Sequence, residues 1–302
     1  APLSFNSPIG VSLDGDFLYW KSNVNGLVYG YSASESGLIP RKHLLLMEAP
    51  HALGFRTGIT WDVEEVNWNL CLKYTWFYDS SEVAEIPSTT LTPLFSFLNI
   101  GKVSSNETSL RTSWNIHHQV GDLSLLRVFS VGKRFSFSPF FGFRGAWQKE
   151  KCEVEYDYQV VADIFQGIHI KLQNRYGLGL RGGAEATWKL SRFINLYGVA
   201  SHSLLWFHNR VTADSPQPTS SSARKGYSYI GNITGLRPVI DCEVGICWHQ
   251  EIRKGGSIFT IKGAWEGQSW IGNSQYIQPQ SGDIIPFDLT IQGAKASIGI
   301  SF

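Results

Sequence analysis

No stretch of this 302-residue chain approaches the ~18–20 consecutive apolar residues that a membrane-crossing helix needs. Leu44-Leu45-Leu46-Met47 and Ser203-Leu204-Leu205-Trp206 are far too short. If the chain resides in a membrane, it does so as strands. Charge is scarce too: 17% of residues are charged, against ~25% in soluble domains. A net charge of +1 excludes a nucleic-acid polycation and an acidic tail protein. Methionine occurs once. Cysteine occurs four times, at Cys71, Cys152, Cys242 and Cys247, with no CxxC and no Cys/His group at zinc-ligand spacing. Four thiols allow three full pairings. Four separate thiols and one disulfide both stay open, although Cys242 and Cys247 lie on opposite faces of any regular strand. No phosphate-cradling glycine loop or calcium loop occurs, so no cofactor or metal is expected. The eight histidines are scattered, and Ser201-His202-Ser203 lacks an acid partner and a glycine-rich nucleophile turn. No enzymatic activity is expected.

What the chain has is aromatic residues and alternation. Aromatics make up 14% of the sequence and include 11 Trp. That composition fits a large soluble sandwich, and equally a barrel with aromatic girdles at two membrane interfaces. The last eight residues decide in favour of strands: Ala296, Ile298, Ile300 and Phe302 share one parity, Lys295, Ser297, Gly299 and Ser301 the other. A soluble domain gains little from a strand that runs to its last residue, because termini fray. A closing barrel strand gains a great deal. The terminal Phe302 also resembles the signal that outer-membrane barrels present to their assembly machinery.

The same period recurs throughout. Phe55, Thr57, Ile59 and Trp61 oppose Gly54, Arg56, Gly58 and Thr60. Trp68, Leu70, Leu72, Tyr74 and Trp76 oppose Asn67, Asn69, Cys71, Lys73 and Thr75. Further strands carry Phe135 to Trp147, Tyr176 to Trp188, Ile194 to Trp206, Ile240 to Trp248 and Phe259 to Trp265. Residues 109–131 read as one strand broken near Gly121-Asp122. Connections alternate in length. The long ones are 21–51, 79–107, about 149–167, 209–230 and 271–286; the short ones sit near 62–65, 131–134, 191–192 and 251–256. Outer-membrane barrels have short periplasmic turns and long external loops. The expected fold is therefore all-β: one transmembrane antiparallel up-and-down barrel over residues 1–302, with ten strands, or twelve if a hairpin hides in 21–51 or 149–167. The patch Leu94-Phe95-Ser96-Phe97-Leu98 reads as loop packing rather than a plug. Leu289 and Ile291 share a parity opposite to Ile298 and Ile300, which predicts a bulge or kink near Gly293.

If the apolar parity meets lipid, the polar parity lines the lumen. That places Asp14, Asp16, Arg56, Lys73, Arg111, Arg144, Arg181, Glu185, Asp241, Glu243, Lys262 and Glu266 inside. Glycine precedes arginine by two in Gly54-Phe55-Arg56, Gly142-Phe143-Arg144, Gly179-Leu180-Arg181 and Gly235-Leu236-Arg237. In a narrow barrel, glycine leaves room and arginine fills it while satisfying acids. Counting from the short turns puts Arg144, Arg181, Asp241 and Glu266 at one depth, with Arg56, Glu185 and Lys262 lower. An ion-pair network across the lumen is expected, with Arg56, Lys73, Arg144, Arg181, Glu185, Asp241, Lys262 and Glu266 as the lumen or constriction residues.

Several stretches resemble a pore-forming outer-membrane protein family of Legionella and chlamydia-like bacteria. They are Gly15-Asp16-Phe17-Leu18-Tyr19-Trp20-Lys21, Pro139-Phe140-Phe141-Gly142-Phe143-Arg144-Gly145-Ala146-Trp147, Tyr176-Gly177-Leu178-Gly179-Leu180-Arg181-Gly182-Gly183, Ser203-Leu204-Leu205-Trp206, Arg237-Pro238-Val239-Ile240-Asp241 and Gly263-Ala264-Trp265-Glu266-Gly267-Gln268-Ser269-Trp270. They occur in the family's order and span nearly the whole chain. The resemblance implies an outer-membrane barrel with porin-like or major surface-protein roles, and no catalytic residues. In chlamydial relatives cysteines cross-link the envelope; four cysteines are few for that role. The leading expectation is a passive pore for small polar solutes. The alternative is a closed barrel acting as a structural surface protein or adhesin. Expected partners are the lipid bilayer, lipopolysaccharide, the barrel-assembly machinery and small polar solutes, with no nucleic acid. The start at Ala1-Pro2 fits a mature chain whose signal peptide has been removed. The expected location is the bacterial outer membrane.

Overall fold

Side-chain alternation with a period of two pairs each segment with its neighbours, and in the computed structural model it does so all the way round a ring. The structure describes residues 10–24, 28–34, 41–46, 48–63, 68–85, 90–93, 106–160, 163–215, 227–252, 257–277 and 284–302. The strands are β1 (Val11–Val24), β2 (Val28–Ser34), β3 (Arg41–Leu46), β4 (His51–Val63), β5 (Trp68–Glu85), β6 (Thr90–Pro93) and β7 (Asn106–Leu126). After them come β8 (Phe129–Val131), β9 (Phe135–Val160), β10 (Asp163–Lys189), β11 (Ile194–Ser215), β12 (Tyr227–Glu251), β13 (Ile258–Ile277) and β14 (Ile284–Ser301). Ten of them close an antiparallel barrel in the order β10-β11-β12-β13-β14-β1-β4-β5-β7-β9, and β9 pairs with β10 to complete the ring. The first and last barrel strands meet: Phe17 lies opposite Ala296, and the Phe302 N–H donates to the Val11 carbonyl at 2.9 Å. β8 adds a short pairing at the start of β9. The connection from β1 to β4 does hold a hairpin, β2–β3, but it joins β6 in a separate three-stranded sheet and not the barrel.

The barrel wears its hydrophobic residues outside. Phe143, Leu178, Leu180, Trp206, Val244 and Ile246 are each more than half exposed. Trp147, Tyr176 and Trp206 mark one edge of this band; Trp188, Phe193 and Trp248 mark the other. From Tyr176 to Trp188, β10 runs roughly 40 Å along its axis and about 30 Å across the membrane at a ~40° tilt. That suits the ~25 Å apolar belt of an outer-membrane barrel. Beyond Trp147, β9 continues to Val160, roughly 40 Å further along the strand. The barrel therefore stands well clear of the membrane on the side of the long connections.

Four expectations are corrected. Within 149–167, residues 149–160 and 163–167 are not a charged loop but the upper arms of β9 and β10. Their alternation persists, with Cys152 and Val154 buried inside while Lys151 and Glu153 pair outside. Charge on an outward face above the membrane mimics loop composition. Residues 109–131 divide into β7 and the separate β8, and β7 passes through Gly121-Asp122 unbroken. No bulge occurs at Gly293: the pairing of β14 with β1 is continuous from Leu289 to Ser301, with alternate burial. The register shift lies on β13 instead, between Trp270 and Ser274, where Gly272 (φ +61°) donates its N–H to the Asp288 carboxylate at 2.7 Å. The change near Gly293 is one of chemistry. Leu289, Ile291, Lys295 and Ser297 all face inward, so the interior turns from apolar to charged down one strand. Finally, Arg111 faces out, exposed beside Glu82 at 3.1 Å; Thr112, Trp114 and Ile116 take the inward places on β7. The turn at 62–65 lies partly, and Leu94–Leu98 wholly, outside the described residues.

Three of the four glycines before arginines lie against backbone of the adjacent strand: a Cβ on Gly54 would sit 2.8 Å from the Trp76 carbonyl oxygen, and two positions are tighter still. A Cβ on Gly142 would sit 1.9 Å from the Leu123 carbonyl oxygen, and one on Gly179 at 1.9 Å from that of Leu204; around Gly235 there is open space. Gly142→Ala and Gly179→Ala should each cost about 1–3 kcal/mol, read as a lower urea midpoint in detergent micelles. Gly235→Ala should leave the midpoint unchanged, and equal effects at all three positions would contradict this account.

Candidate functional site

The interior is the candidate site, and it is layered. Uppermost, beyond the membrane band, Glu150 on β9 gathers Arg175 at 2.9 Å, Lys171 at 3.9 Å, the Trp114 indole N–H at 3.2 Å and the Ser274 hydroxyl at 2.8 Å. Arg175 also donates to Gln173 and to the Asn273 carbonyl, both at 2.7 Å. Asn273 donates in turn to Gln148 at 2.7 Å, and Gln148 meets His118 at 2.8 Å. Burial alone would raise the Glu150 carboxyl; the neighbouring Lys171 and Arg175 and the hydrogen bonds hold it down at about 2. Burial pushes the Lys171 ammonium down to about 7 in spite of Glu150.

Below lies an apolar layer inside the barrel. Leu18, Phe77, Ile116, Leu205, Val239 and Leu289 are 0% exposed, and Trp20, Trp270 and Ile291 are 1% exposed. Trp20 meets Phe77 edge-on at 5.5 Å, and Phe207 meets Trp270 at 6.3 Å. His118 on β7 packs edge-on against Trp270 on β13 at 5.0 Å. These two strands lie opposite each other in the ring of ten, so that contact spans the whole bore.

The ion-pair layer comes next. Arg144 forks onto Asp122 at 2.7 and 3.0 Å and reaches Asp241 at 2.7 Å. Arg181 approaches Asp122 at 3.3 Å and Asp241 at 3.9 Å, and Ser201 donates to Asp241 at 2.9 Å. A second group forms around Arg56, which is bidentate on Glu266 at 2.8 and 3.0 Å, donates to Thr75 at 2.8 Å and lies 3.6 Å from Asp16. Lys295 bridges Asp16 at 3.8 Å to Glu243, which also accepts from the Tyr197 hydroxyl at 2.6 Å. The guanidinium of Arg56 lies 5.4 Å from the Trp20 ring, and that of Arg144 6.0 Å from Trp270. The charged layer thus packs directly on the aromatic one.

The lowest layer is open. A cavity of about 570 Å³ is lined by Asp14, Lys73, Glu185, Tyr197, Lys262 and Lys295, and reaches Asp62, Arg127, Phe129, Thr187 and His249 at the rim of short turns. Its roof is the ion-pair layer.

All eight candidate lumen residues point inward. Arg144, Arg181 and Asp241 share one cluster, while Glu266 belongs to the other, with Arg56, which is therefore no lower. Lys73, Glu185 and Lys262 line the cavity, apart from both clusters. Sequence reasoning missed Asp122, Lys295, Ser201 and Tyr197. Asp122 was hidden beside a glycine read as a strand break. It also missed Glu150, which lay in the supposed loop, and Lys171 and Arg175, which lie between that loop and Tyr176, where the next strand was read to begin.

A family model described as the Legionella pneumophila major outer membrane protein precursor matches residues 8–298. No curated protein matches the chain. Among solved structures, the outer membrane protease OmpT from Escherichia coli superposes with a TM-score of 0.51 at 11% identity, covering 97% of this chain and 96% of that one. A major outer membrane protein from Thermus thermophilus gives a TM-score of 0.32 at 11% identity, covering 97% and 99%. At such identities OmpT shares the barrel fold and nothing more. The family match and the barrel place this chain in the bacterial outer membrane.

Arg144→Met should cost about 3–5 kcal/mol, because it leaves Asp122 and Asp241 buried without their main cation. Removing Arg144 and both acids together should cost far less. Urea unfolding in micelles checks both. The upper layer should respond to pH in two windows. Glu150 binds protons more weakly folded (about 2) than in its ordinary state (4.5), so its stabilisation holds above pH 4.5 and is lost as pH falls towards 2. Lys171 at about 7 against 10.5 leaves the unfolded chain holding the extra proton between those values, so stability rises with pH across that window. Hydrogen exchange of the upper β9–β10 arms should show both slopes, and Lys171→Met should abolish the upper one.

Proposed function

This chain belongs to the Legionella major outer membrane protein family, and we propose that within it the chain acts as a closed barrel, a membrane-anchored scaffold that carries its external end as a surface structure. The single observation behind this is the contact of His118 with Trp270 across the full bore, embedded in side chains without accessible surface. A solute descending the axis meets first the Glu150 cluster, then the apolar layer, then two desolvated ion-pair clusters. A polar solute would have to strip its water against Trp20, Phe77 and Trp270, at a cost of several kcal/mol. Eight to ten strands enclose a bore that side chains can fill, and above the lower cavity side chains from opposite walls are in contact.

The external end supports the surface role. Strands β9 to β12 run far past the aromatic girdle, and β3-β2-β6 adds a sheet of its own. Surface segments positioned by a rigid scaffold are where recognition usually sits. The non-catalytic reading rests on the family; the protease activity named for OmpT is a property of OmpT. A pore remains the second reading because one observation favours it: the cavity of about 570 Å³ at the rim of short turns is half of a solute path.

Planar-bilayer recordings of the purified protein separate the two. We expect no conductance steps above baseline, and steps at ordinary voltages from the unmodified chain would restore the pore. The triple variant Trp20→Ala, Phe77→Ala, Trp270→Ala removes the apolar layer and should introduce conductance, provided the barrel still folds as judged by heat-modifiable migration.

A further inference from the structure

Just above the aromatic girdle, one row of paired residues faces outward. His117 on β7 pairs laterally with Lys149 on β9, Lys149 with Asn174 on β10, Asn174 with Arg210 on β11, and Arg210 with Asn232 on β12. All five are exposed. With adjacent strands ~4.8 Å apart, the Cα atoms of Lys149 and Arg210 lie about 10 Å apart with an amide donor between them. Below the row, the same strands present exposed Trp147, Tyr176, Leu178 and Trp206. The Trp147 ring folds down over Gly145, where a Cβ would lie 3.2 Å from it.

The row differs in its charge from other parts of the external rim. There, outward cations are matched by carboxylates: Lys21 by Glu48 at 3.1 Å, Arg111 by Glu82 at 3.1 Å and Lys151 by Glu153 at 2.5 Å. Among the described residues, neither Lys149 nor Arg210 has such a partner. Two uncompensated cations, interleaved with Asn and His donors and set directly over an apolar wall, match one kind of molecule: an amphiphile with anionic oxygens at the head and acyl chains below. The outer leaflet of a bacterial outer membrane supplies it as a phosphorylated glycolipid. Arg offers a planar fork for phosphate oxygens and Lys a point charge.

We infer that the outward row on β7–β12, centred on Lys149 and Arg210, is a binding site for the phosphorylated headgroup of an outer-leaflet glycolipid, whose acyl chains lie against Trp147, Tyr176, Leu178 and Trp206. This stands apart from whether the bore conducts, because it concerns the outer wall alone.

Native mass spectrometry of the whole barrel, released from micelles, tests it. The probes are diphosphoryl lipid A, the same lipid with both phosphates removed, and inorganic phosphate. The unmodified protein should retain diphosphoryl lipid A about tenfold more than the dephosphorylated lipid. Lys149→Glu with Arg210→Glu should bring retention down to the dephosphorylated level. Lys21→Glu with Arg111→Glu, on the paired part of the rim, should leave it unchanged. Heat-modifiable migration confirms that each variant is folded. Equal retention of the two lipids, or equal loss in both double variants, would overturn the site. Displacement of the lipid by millimolar inorganic phosphate would overturn the acyl-wall half, since it would show that a free anion suffices.

Discussion

Ten strands closed into a ring leave a bore about as wide as the side chains that two opposite walls can send into it. That limit governs the rest of the molecule. Water in so narrow a bore would have to be replaced or held in order, and the choice differs with depth. In the outer half the walls meet through Trp270, His118, Trp20 and Phe77, which exclude water outright. In the middle, charges from five strands or more interlock through Arg144 and Arg56. In the lowest part the walls stand apart around a cavity of about 570 Å³. Closure also needs every backbone group in lipid paired, which is why the first and last strands of the ring must meet.

Burying charge in this way is expensive. An arginine taken from water loses several kcal/mol that its partners must return. Arg144 recovers it through three short hydrogen bonds to two carboxylates and the face of Trp270, and Arg56 through Glu266, Thr75 and Trp20. Glycine is part of the same arrangement. The strands draw so close at Gly142 and Gly179 that no Cβ fits, and this tight approach precedes by two residues the arginine that crosses the bore. At Gly142–Arg144 and Gly179–Arg181 the glycine–arginine spacing is thus geometric: a close strand contact, then a long side chain sent inward at the next position of the same parity.

The ring and its strand number were legible in the sequence because a barrel repeats one signal many times. Alternation and the sorting of connections by length report the same architecture independently, so a misread at one strand did not spoil the count. Many of the inward charges, such as Arg56, Arg144, Arg181, Asp241 and Glu266, were legible for the same reason, whereas Arg111 was placed on the wrong face and Asp122 and Lys295 were missed. The pairing of these charges was not legible. Which acid meets Arg56 depends on how the ring tilts, and two strands, β14 and β1, lie between β4 and β13, a distance that local spacing does not encode. The extent of the strands was also obscured. Above the membrane, polar residues are tolerated on the outer face, so Lys149 to Glu155 lost the apolar half of the pattern while keeping the strand.

Lost periodicity is itself informative about closure. A strand between lipid and water alternates; a strand between lipid and a dry interior is apolar on both faces, as in sheets covered on both sides. Phe17-Leu18-Tyr19-Trp20 and Leu204-Leu205-Trp206-Phe207 are such runs, and both lie in the outer half of the band. Their outward members, Phe17, Tyr19, Leu204 and Trp206, are exposed, and their inward members, Leu18, Trp20, Leu205 and Phe207, are buried against one another or against the opposite wall. On β14 the same transition is recorded as a change of parity, with Leu289 and Ile291 above Gly293 and Lys295 and Ser297 below. Read as a bulge, that change disrupts the strand; read as a change of interior, it locates the floor of the apolar layer. On β1 and β11, these four-residue apolar runs therefore mark the depth at which apolar side chains, rather than ion pairs, fill the bore.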